Sequence, residues 1–452
     1  MSVTITNNGS AASAYASKLT PSPTKTTDPA AYLGSDIEFT SQYLPDVYEK
    51  EFEKYGNRSV SSFLRMVGAE MPFASDVIQW AEQGRLHLAV QSATRSADVI
   101  TSAAHPFRVN QTVVITDADG TQEKALITAV TADTFTVASY ENANLAAALD
   151  TTGLKVFAFG AEFKKGTAGM AGSLEAPKDI LTNNPIIIKD KYEVNGSDMA
   201  QIGWIEVTTE NGATGYLWYL KSEHETRLRF EDYLELSLIE GRPAADSSGA
   251  AAAGYKGTKG LFYEIENRGN IATGSIASRG DLEELIKVLD KEGAIQENVM
   301  FVNRTKSFEI DTVLAAQNNS GASTASYGLF DNDESMALNL GFMGFNLGYD
   351  FYKTDWKYLN DATTGGLTAG VDGVIVPAGT TTVYDQILGK NATRPFLHIK
   401  YRKSEAEDRK YKSWVVGSAG GASNTDLDAM SVHFLSERAL CVHGANNFIL
   451  MK

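Results

Sequence analysis

Six histidines, at 87, 105, 224, 398, 433 and 443, are the first candidates for chemistry, and they are dispersed. Only His433 and His443 have a useful spacing, ten residues apart on strand-like segments, and no Cys, Asp or Glu cluster accompanies them as a zinc site would require. Asp117-Ala118-Asp119-Gly120 begins like a calcium loop, but the acidic side chain needed at its twelfth position is replaced by Thr128. A hairpin turn is the better reading. Asp331-Asn332-Asp333-Glu334 reads as a solvated turn. The single cysteine, Cys441, lies in the apolar run Ala439-Leu440-Cys441-Val442 and is expected to be a small core residue. No GxGxxG, P-loop, HExxH, GxSxG or CxxC pattern occurs. The expectation is therefore no catalytic residue, no metal site and no cofactor.

Two charged segments remain. The run Lys400, Arg402, Lys403, Arg409 and Lys410 is interleaved with Glu405, Glu407 and Asp408, a mixture that suits a solvated edge or a contact between subunits. Residues 215–241 alternate Glu223, Glu225, Arg227, Arg229, Glu231 and Asp232. Glu223–Arg227 and Glu225–Arg229 stand at i,i+4, each such pair stabilising a helix by ~0.2–0.5 kcal/mol. Glu223, Arg227 and Arg229, with the five cations of the later run, are the candidate inter-subunit contacts. Forty basic against 56 acidic residues leave a net charge of −16, so nucleic acid should be repelled over most of the surface.

The element that positions the second segment is the clearest in the chain. Between Gly215 and Gly241 there is no Gly or Pro, which reads as one helix of about seven turns, roughly 39 Å long. Leu217, Leu220, His224, Leu228, Glu231, Glu235 and Leu238 share one face, while Phe230, Tyr233, Leu234, Leu236 and Ile239 point elsewhere. The first half should be partly wet and the second half covered on more than one side. Residues 1–35, rich in Ser, Thr, Ala and Pro, have almost nothing to bury and would be disordered alone. A helical pattern follows over 46–69, and a second short helix containing Trp80 is expected over 74–84. Residues 86–162 change to short Val-, Ile-, Thr- and Phe-rich strands with a turn at Asp119-Gly120, as in a small barrel or sandwich. Residues 279–292 form a helix capped by Ser278, 298–302 a buried strand and 305–317 a helix. Residues 326–401 are strand-rich, and 427–452 should be packed. No basic or apolar leader opens the chain, and no apolar run approaches the ~20 residues of a membrane span, so a cytoplasmic protein is expected.

The order of these parts, and in particular Glu223-His-Glu-Thr-Arg-Leu-Arg-Phe-Glu-Asp-Tyr-Leu-Glu, the helix–strand–helix from Ser278 to Gln317 and the closing segment Val432 to Phe448, resembles the tailed-bacteriophage major capsid protein of the Hong Kong 97 type. The resemblance implies an α+β fold divided as follows: an N-terminal arm at 1–40, a helical segment leading into an extended loop at 41–85, and an inserted β-domain at 86–162. The loop then returns over 163–199, a peripheral domain spans 200–325 with its spine helix at 215–240, an axial domain spans 326–424, and peripheral strands close the chain at 425–452. It implies self-assembly into hexamers and pentamers of an icosahedral virion capsid that encloses double-stranded DNA without sequence-specific binding, built in the host cytoplasm. A separate scaffolding protein, a portal and decoration proteins would be its partners, with no membrane. Some relatives cross-link Lys to Asn, roles that would fall to Lys164 or Lys165 and Asn446 or Asn447. Two alternatives stay open: the shell of a cellular nanocompartment, and an acidic β-rich carbohydrate-binding protein or hydrolase using Trp204, Trp218 and Trp356.

Overall fold

The structure, a computed structural model, describes residues 69–452 apart from 146–148, 176, 202–206, 209–213, 216–217, 320–343, 369, 386–389 and 422. The expected arm, the helical pattern before residue 69, Trp204 and Asp331–Glu334 lie outside the described residues. The fold is mixed α+β and dominated by strands. The chain divides into two units, Met1–Gly56 with Met199–Lys221, and Asn57–Asp198 with Ser222–Lys452.

In chain order the larger unit opens with β1 (Ala69–Phe73) and β2 (Ile78–Gln83), then β3 (Ala89–Ser96), β4 (Val99–Thr101), β5 (Gln111–Thr116), β6 (Gln122–Val130), β7 (Thr134–Ser139) and β8 (Leu154–Ala161). β9 (Lys178–Asn183) and β10 (Ile186–Asn195) follow. The described part of the smaller unit holds the antiparallel pair β11 (Val207–Thr208) and β12 (Thr214–Gly215). The long helix α1 (Trp218–Ile239) leads on to α2 (Leu261–Arg268), β13 (Asn270–Ala272), α3 (Arg279–Glu292), β14 (Glu297–Val302) and α4 (Arg304–Asn319). Then come β15 (Gly344–Asn346), β16 (Asp350–Asp355), β17 (Gly373–Pro377), the hairpin β18 (Thr380–Asp385) and β19 (Lys390–Pro395), β20 (Leu397–Arg402), β21 (Lys412–Gly417), β22 (Ala429–Val442) and β23 (Ile449–Met451).

Two sheets make the body. In the first, β22 is the axis: β10 lies antiparallel along one edge from Ile186↔Arg438 to Asn195↔Ala429, while β21 and β20 share the other edge. β1 adds to β20 in parallel. The second sheet runs β13-β23-β17-β14-β16-β15 and is covered on both faces. Because side chains alternate along a strand, Met300, Val302, Ile375, Ile449 and Met451 face α3 and α4. Phe301, Val374, Val376 and Leu450 face the opposite way and join Leu238 and Ile239 of α1, Leu261 and Ile265 of α2, and Leu397, Ile399, Leu440 and Val442 of the first sheet. The second half of α1 is accordingly buried at Phe230, Leu234, Leu238 and Ile239, whereas Leu220 on the expected apolar face is exposed. α3 ends as a helix should, with Ser278 and Asp281 closing a capping box and Gly293 in the left-handed conformation (φ 68°).

Three expectations are corrected. The short helix expected over 74–84, and with it the helical reading of 41–85 where the chain is described, gives way to strands. Ile78, Trp80 and Glu82 are the more buried side chains and Gln79, Ala81 and Gln83 are exposed, a period of two, and β2 pairs antiparallel with β9 from Ile78↔Asn183 to Gln83↔Lys178. An axial domain at 326–424 is not separated as drawn, because β15, β16 and β17 complete the same sheet as β14 and β23. Trp356, offered as a groove residue, is buried among Phe262, Phe301 and Tyr358.

Between β2 and β9, the strands β3-β4-β7-β6-β5-β8 close into a barrel with a separate core that includes Ile100, Val113, Ile115, Ile127, Phe135, Leu154 and Val156. The two legs of the ribbon touch where they enter it: the Gly84 amide donates to the Pro177 carbonyl (2.8 Å), and a Cβ at Gly84 would stand 2.8 Å from Pro177 Cγ. Ile115→Ala should therefore cost the barrel roughly 2–5 kcal/mol while leaving the body untouched. Hydrogen exchange resolved by peptide checks this, and loss of protection in β14, β17 and β22 together with the barrel would contradict it.

Candidate functional site

The histidines flagged by spacing are not brought together as ligands. His433 lies flat on Trp414 (5.2 Å between centroids, 11°), while His443 stacks on Trp80 (5.5 Å, 20°) and sits 4.8 Å from the His398 ring. Among the described residues no group of three His, Cys, Asp or Glu side chains is placed to hold a metal ion. Asp117 accepts from the Thr121 amide (2.8 Å) in the β5–β6 turn, where Gly120 has φ 88°. Cys441 is fully buried, which pushes its thiol up to about 12.

The charged segments are largely matched within the chain. Arg229 reaches Asp190 of β10 (3.3 Å); Glu223 is half-buried and Arg227 is exposed. Lys400 lies mid-sheet between Met71 and Ala439. Two arginines converge on the buried carboxylate of Glu437, Arg402 from β20 (3.0 Å) and Arg409 from the following loop (2.7 Å), and Arg402 also holds Asp76 (2.6 Å). Lys403 pairs with Asp408 (2.9 Å), and Lys410 pairs with Glu70 while lying over the Tyr401 ring. The Asp408 carboxyl is held below its ordinary range, first by the Lys410 amide and then by Lys403. This basic run is a strap that locks the β20–β21 connection to β1 and β22.

A second polar cluster, which local spacing does not reveal, seats the β2–β9 ribbon on the body. Glu82 Oε1 accepts from the Trp80 indole N–H (3.0 Å) and from the Gly444 amide (3.0 Å), and its Oε2 faces Arg268 of α2 (3.2 Å). Arg268 in turn donates to Glu264 (2.7 Å) and to the Val442 carbonyl (2.9 Å), and its guanidinium lies 6.0 Å from the Trp80 ring. At the other leg the buried Asn183 donates to the carbonyls of Leu440 (2.7 Å) and Lys259 (3.0 Å) and accepts from the Lys259 amide (2.8 Å) and the Thr258 hydroxyl (3.2 Å). Phe73, Ile78, Ala439 and Cys441 form the apolar floor. Burial pulls the His443 imidazole down from 6.5 to about 4 against the favourable field of Glu82. The partners are 75 to 257 residues apart along the chain at Asn183, and 186 apart at Glu82–Arg268. The local signal at Asn183-Asn184-Pro185 is that of a turn.

Because each buried group deprived of its partner costs ~1–3 kcal/mol, Asn183→Leu should destabilise the ribbon's seat by about 3 kcal/mol or more. Urea unfolding followed by exchange of the β2 and β9 amides checks this; a change under about 1 kcal/mol would contradict it.

No family model matches the sequence, and no curated protein matches it. In fold the chain is similar to solved structures from phages. One, from Gordonia phage Cozz, is 11% identical, with 95% of this chain and 98% of that chain covered at a TM-score of 0.41. The asymmetric unit of the bacteriophage PhiM1 mature capsid is 9% identical with 98% of each chain covered, TM-score 0.41. The capsid structure of the Cyanophage P-SCSP1u is 6% identical with 91% and 93% covered, again at 0.41.

Proposed function

We propose that the chain is the major shell protein of a phage head, a structural and non-enzymatic role, with copies that assemble as hexamers and pentamers of a Hong Kong 97-type icosahedral capsid around double-stranded DNA. The observation that carries this reading is the run of exposed apolar side chains between the end of the barrel and the start of the first sheet. Phe157, Phe159, Phe163, Leu174, Ile180 and Ile187 are all exposed there, Ile180 by 72% and Phe159 by 52%. Large apolar side chains repeated along one segment are covered when subunits meet. A surface used by every copy generates a closed shell when the contacts follow symmetry axes. In this reading 86–162 is the inserted domain of the extended loop and 163–199 its return. The peripheral domain takes in β15–β17 as well as 200–325 and the closing strands, and the axial part is confined to the remainder of 326–424.

The strap at Arg402, Lys403, Arg409 and Lys410 is matched within the chain, whereas Arg227, also among the proposed inter-subunit contacts, is exposed. A net charge of −16 suits a container whose contents must not adhere to its wall. A separate scaffolding protein, a portal and decoration proteins are the partners this reading calls for, with assembly in the host cytoplasm.

Negative-stain electron microscopy with size-exclusion chromatography tests the reading: hexamers, pentamers or closed shells are expected, and a monodisperse monomer under assembly conditions, with scaffold supplied, would sink it. Phe159→Asp combined with Ile180→Asp should abolish shells while moving subunit stability by less than about 1 kcal/mol. Shells that form undiminished from that variant would remove this segment from the contact.

A further inference from the structure

The edges of the two body sheets are not alike. At β10 the Lys191 amide turns outward and donates to the Asp190 carboxylate (2.8 Å), which is itself paired with Arg229, so side chains occupy that edge. β1 carries Pro72, which has no N–H to offer. In the second sheet the edge strands β13 and β15 are three residues each. Short, capped and proline-bearing edges are how sheets avoid adding foreign strands. β21 has none of these features. It pairs with β22, and among the described residues no strand lies along its other side. Lys412, Ser413, Trp414 and Val415 are exposed in succession, Trp414 by 37% and Val415 by 43%. Alternation would hide every second one of them if either face were covered.

The register fixes which backbone groups point out. Even-numbered residues of β22 face β10, because Asp190 opposes Phe434 and the Lys191 amide points away. Odd-numbered ones face the other edge, where the Glu437 amide donates to the Arg409 carbonyl (3.0 Å). Lys412, Trp414 and Val416, opposite Leu435, His433 and Ser431, therefore turn their backbone groups inward. Ser413, Val415 and Gly417 turn theirs outward. At the far end Asn424 takes the place of a strand: its side chain donates to the Val415 carbonyl (3.3 Å) and accepts from the Gly417 amide (2.8 Å). The stretch left open centres on Ser413.

We propose that β21 pairs antiparallel with β21 of a second copy, about a two-fold axis through Ser413. In that register Ser413 meets Ser413 of the partner subunit through two mutual backbone hydrogen bonds. Lys412 stands opposite Trp414 of the partner subunit, and Val415 opposite Tyr411 of the partner subunit. These pairs are complementary, a cation beside an indole and a β-branched side chain beside an aromatic ring. The Lys412 ammonium is drawn back to Glu407 (2.8 Å), 5.9 Å from its own Trp414 ring, and does not bar the approach. Centring the pair on Lys412 instead would oppose two ammonium groups, and moving the centre toward Gly417 would run into Asn424. An edge this short buries far less than the ~1,600 Å² of a stand-alone complex, so the contact belongs to an assembly that repeats it. The inference rests on the shell reading for its partner, a second copy, and adds to it the contact that joins two subunits across a two-fold axis.

Cysteine trapping on the full chain tests the pairing, and because Cys441 is buried it does not compete with an introduced thiol. In the proposed register the two Ser413 Cα atoms stand about 5.5 Å apart, inside the range that a disulfide spans. The two Val415 Cα atoms stand about 14 Å apart, displaced by two residues of rise in opposite directions, and cannot be bridged. Under a mild oxidant Ser413→Cys should therefore give roughly tenfold more disulfide dimer than Val415→Cys. Both substitutions sit at exposed positions, so the fold is kept in either variant. Equal yields, a preference for Val415→Cys, or no dimer from Ser413→Cys would each overturn the pairing. Electron microscopy of the same samples separates this inference from the reading it rests on. Shells without the Ser413→Cys dimer remove the contact and leave the shell, whereas that dimer without shells keeps the contact and sinks the shell.

Discussion

The structure depends on satisfying β22 along both edges and on both faces. Thirteen of its fourteen residues are buried, so each backbone group must find a strand partner and each side chain a packed neighbour. Its partners come from β10 on one side and from β21 and β20 on the other, and none lies next to it in the chain except β21. Closing β10 onto β22 fixes the ends of a loop of more than two hundred residues, the kind of pairing whose entropy is met only when the rest of the core is ready to form.

Burying β22 forces the solution found at its polar positions. Glu437 and Arg438 stand where the second edge passes from β21 to β20, and neither can be left without partners. Arg402 and Arg409 neutralise Glu437, while Arg438 donates to Ser436 (2.9 Å) and to the Lys410 carbonyl (3.0 Å), with Glu70 at 3.7 Å. The loop that supplies these groups is thereby fastened to β1 and β22. Its cations serve the chain's own interior.

The end of β22 also sets the contrast between the parts of the molecule. The two large core clusters are apolar and continuous through the second sheet. The ribbon, by comparison, rests on a small apolar floor rimmed by Glu82, Arg268, His443 and Asn183, a seat whose strength depends on individual ion pairs and hydrogen bonds. The barrel beyond it is closed, with no free edge to offer for strand addition, and it carries Phe157 and Phe159 exposed on β8.

Local patterns in the sequence determined the long helix, the capped helix at 279–292, the β14 strand and the strand-rich character of 86–162, because a missing Gly or Pro, a Ser–Asp cap or a run of β-branched residues acts within a few residues of itself. The absence of a catalytic signature and the acidic balance were equally legible. Tertiary structure decided the rest. Trp80 sits in a strand because β9, about a hundred residues later, supplies the pairing that overrides a weak helical pattern. β15–β17 belong to the second sheet because β14 and β23 offer the open edges they fill. The basic run is a strap because Glu437 and Glu70 lie opposite it only after folding. The ribbon's seat was hidden for the same reason: a carboxylate, an arginine and a histidine scattered over hundreds of residues have no spacing to read, and only burial in one place gives them a joint chemistry.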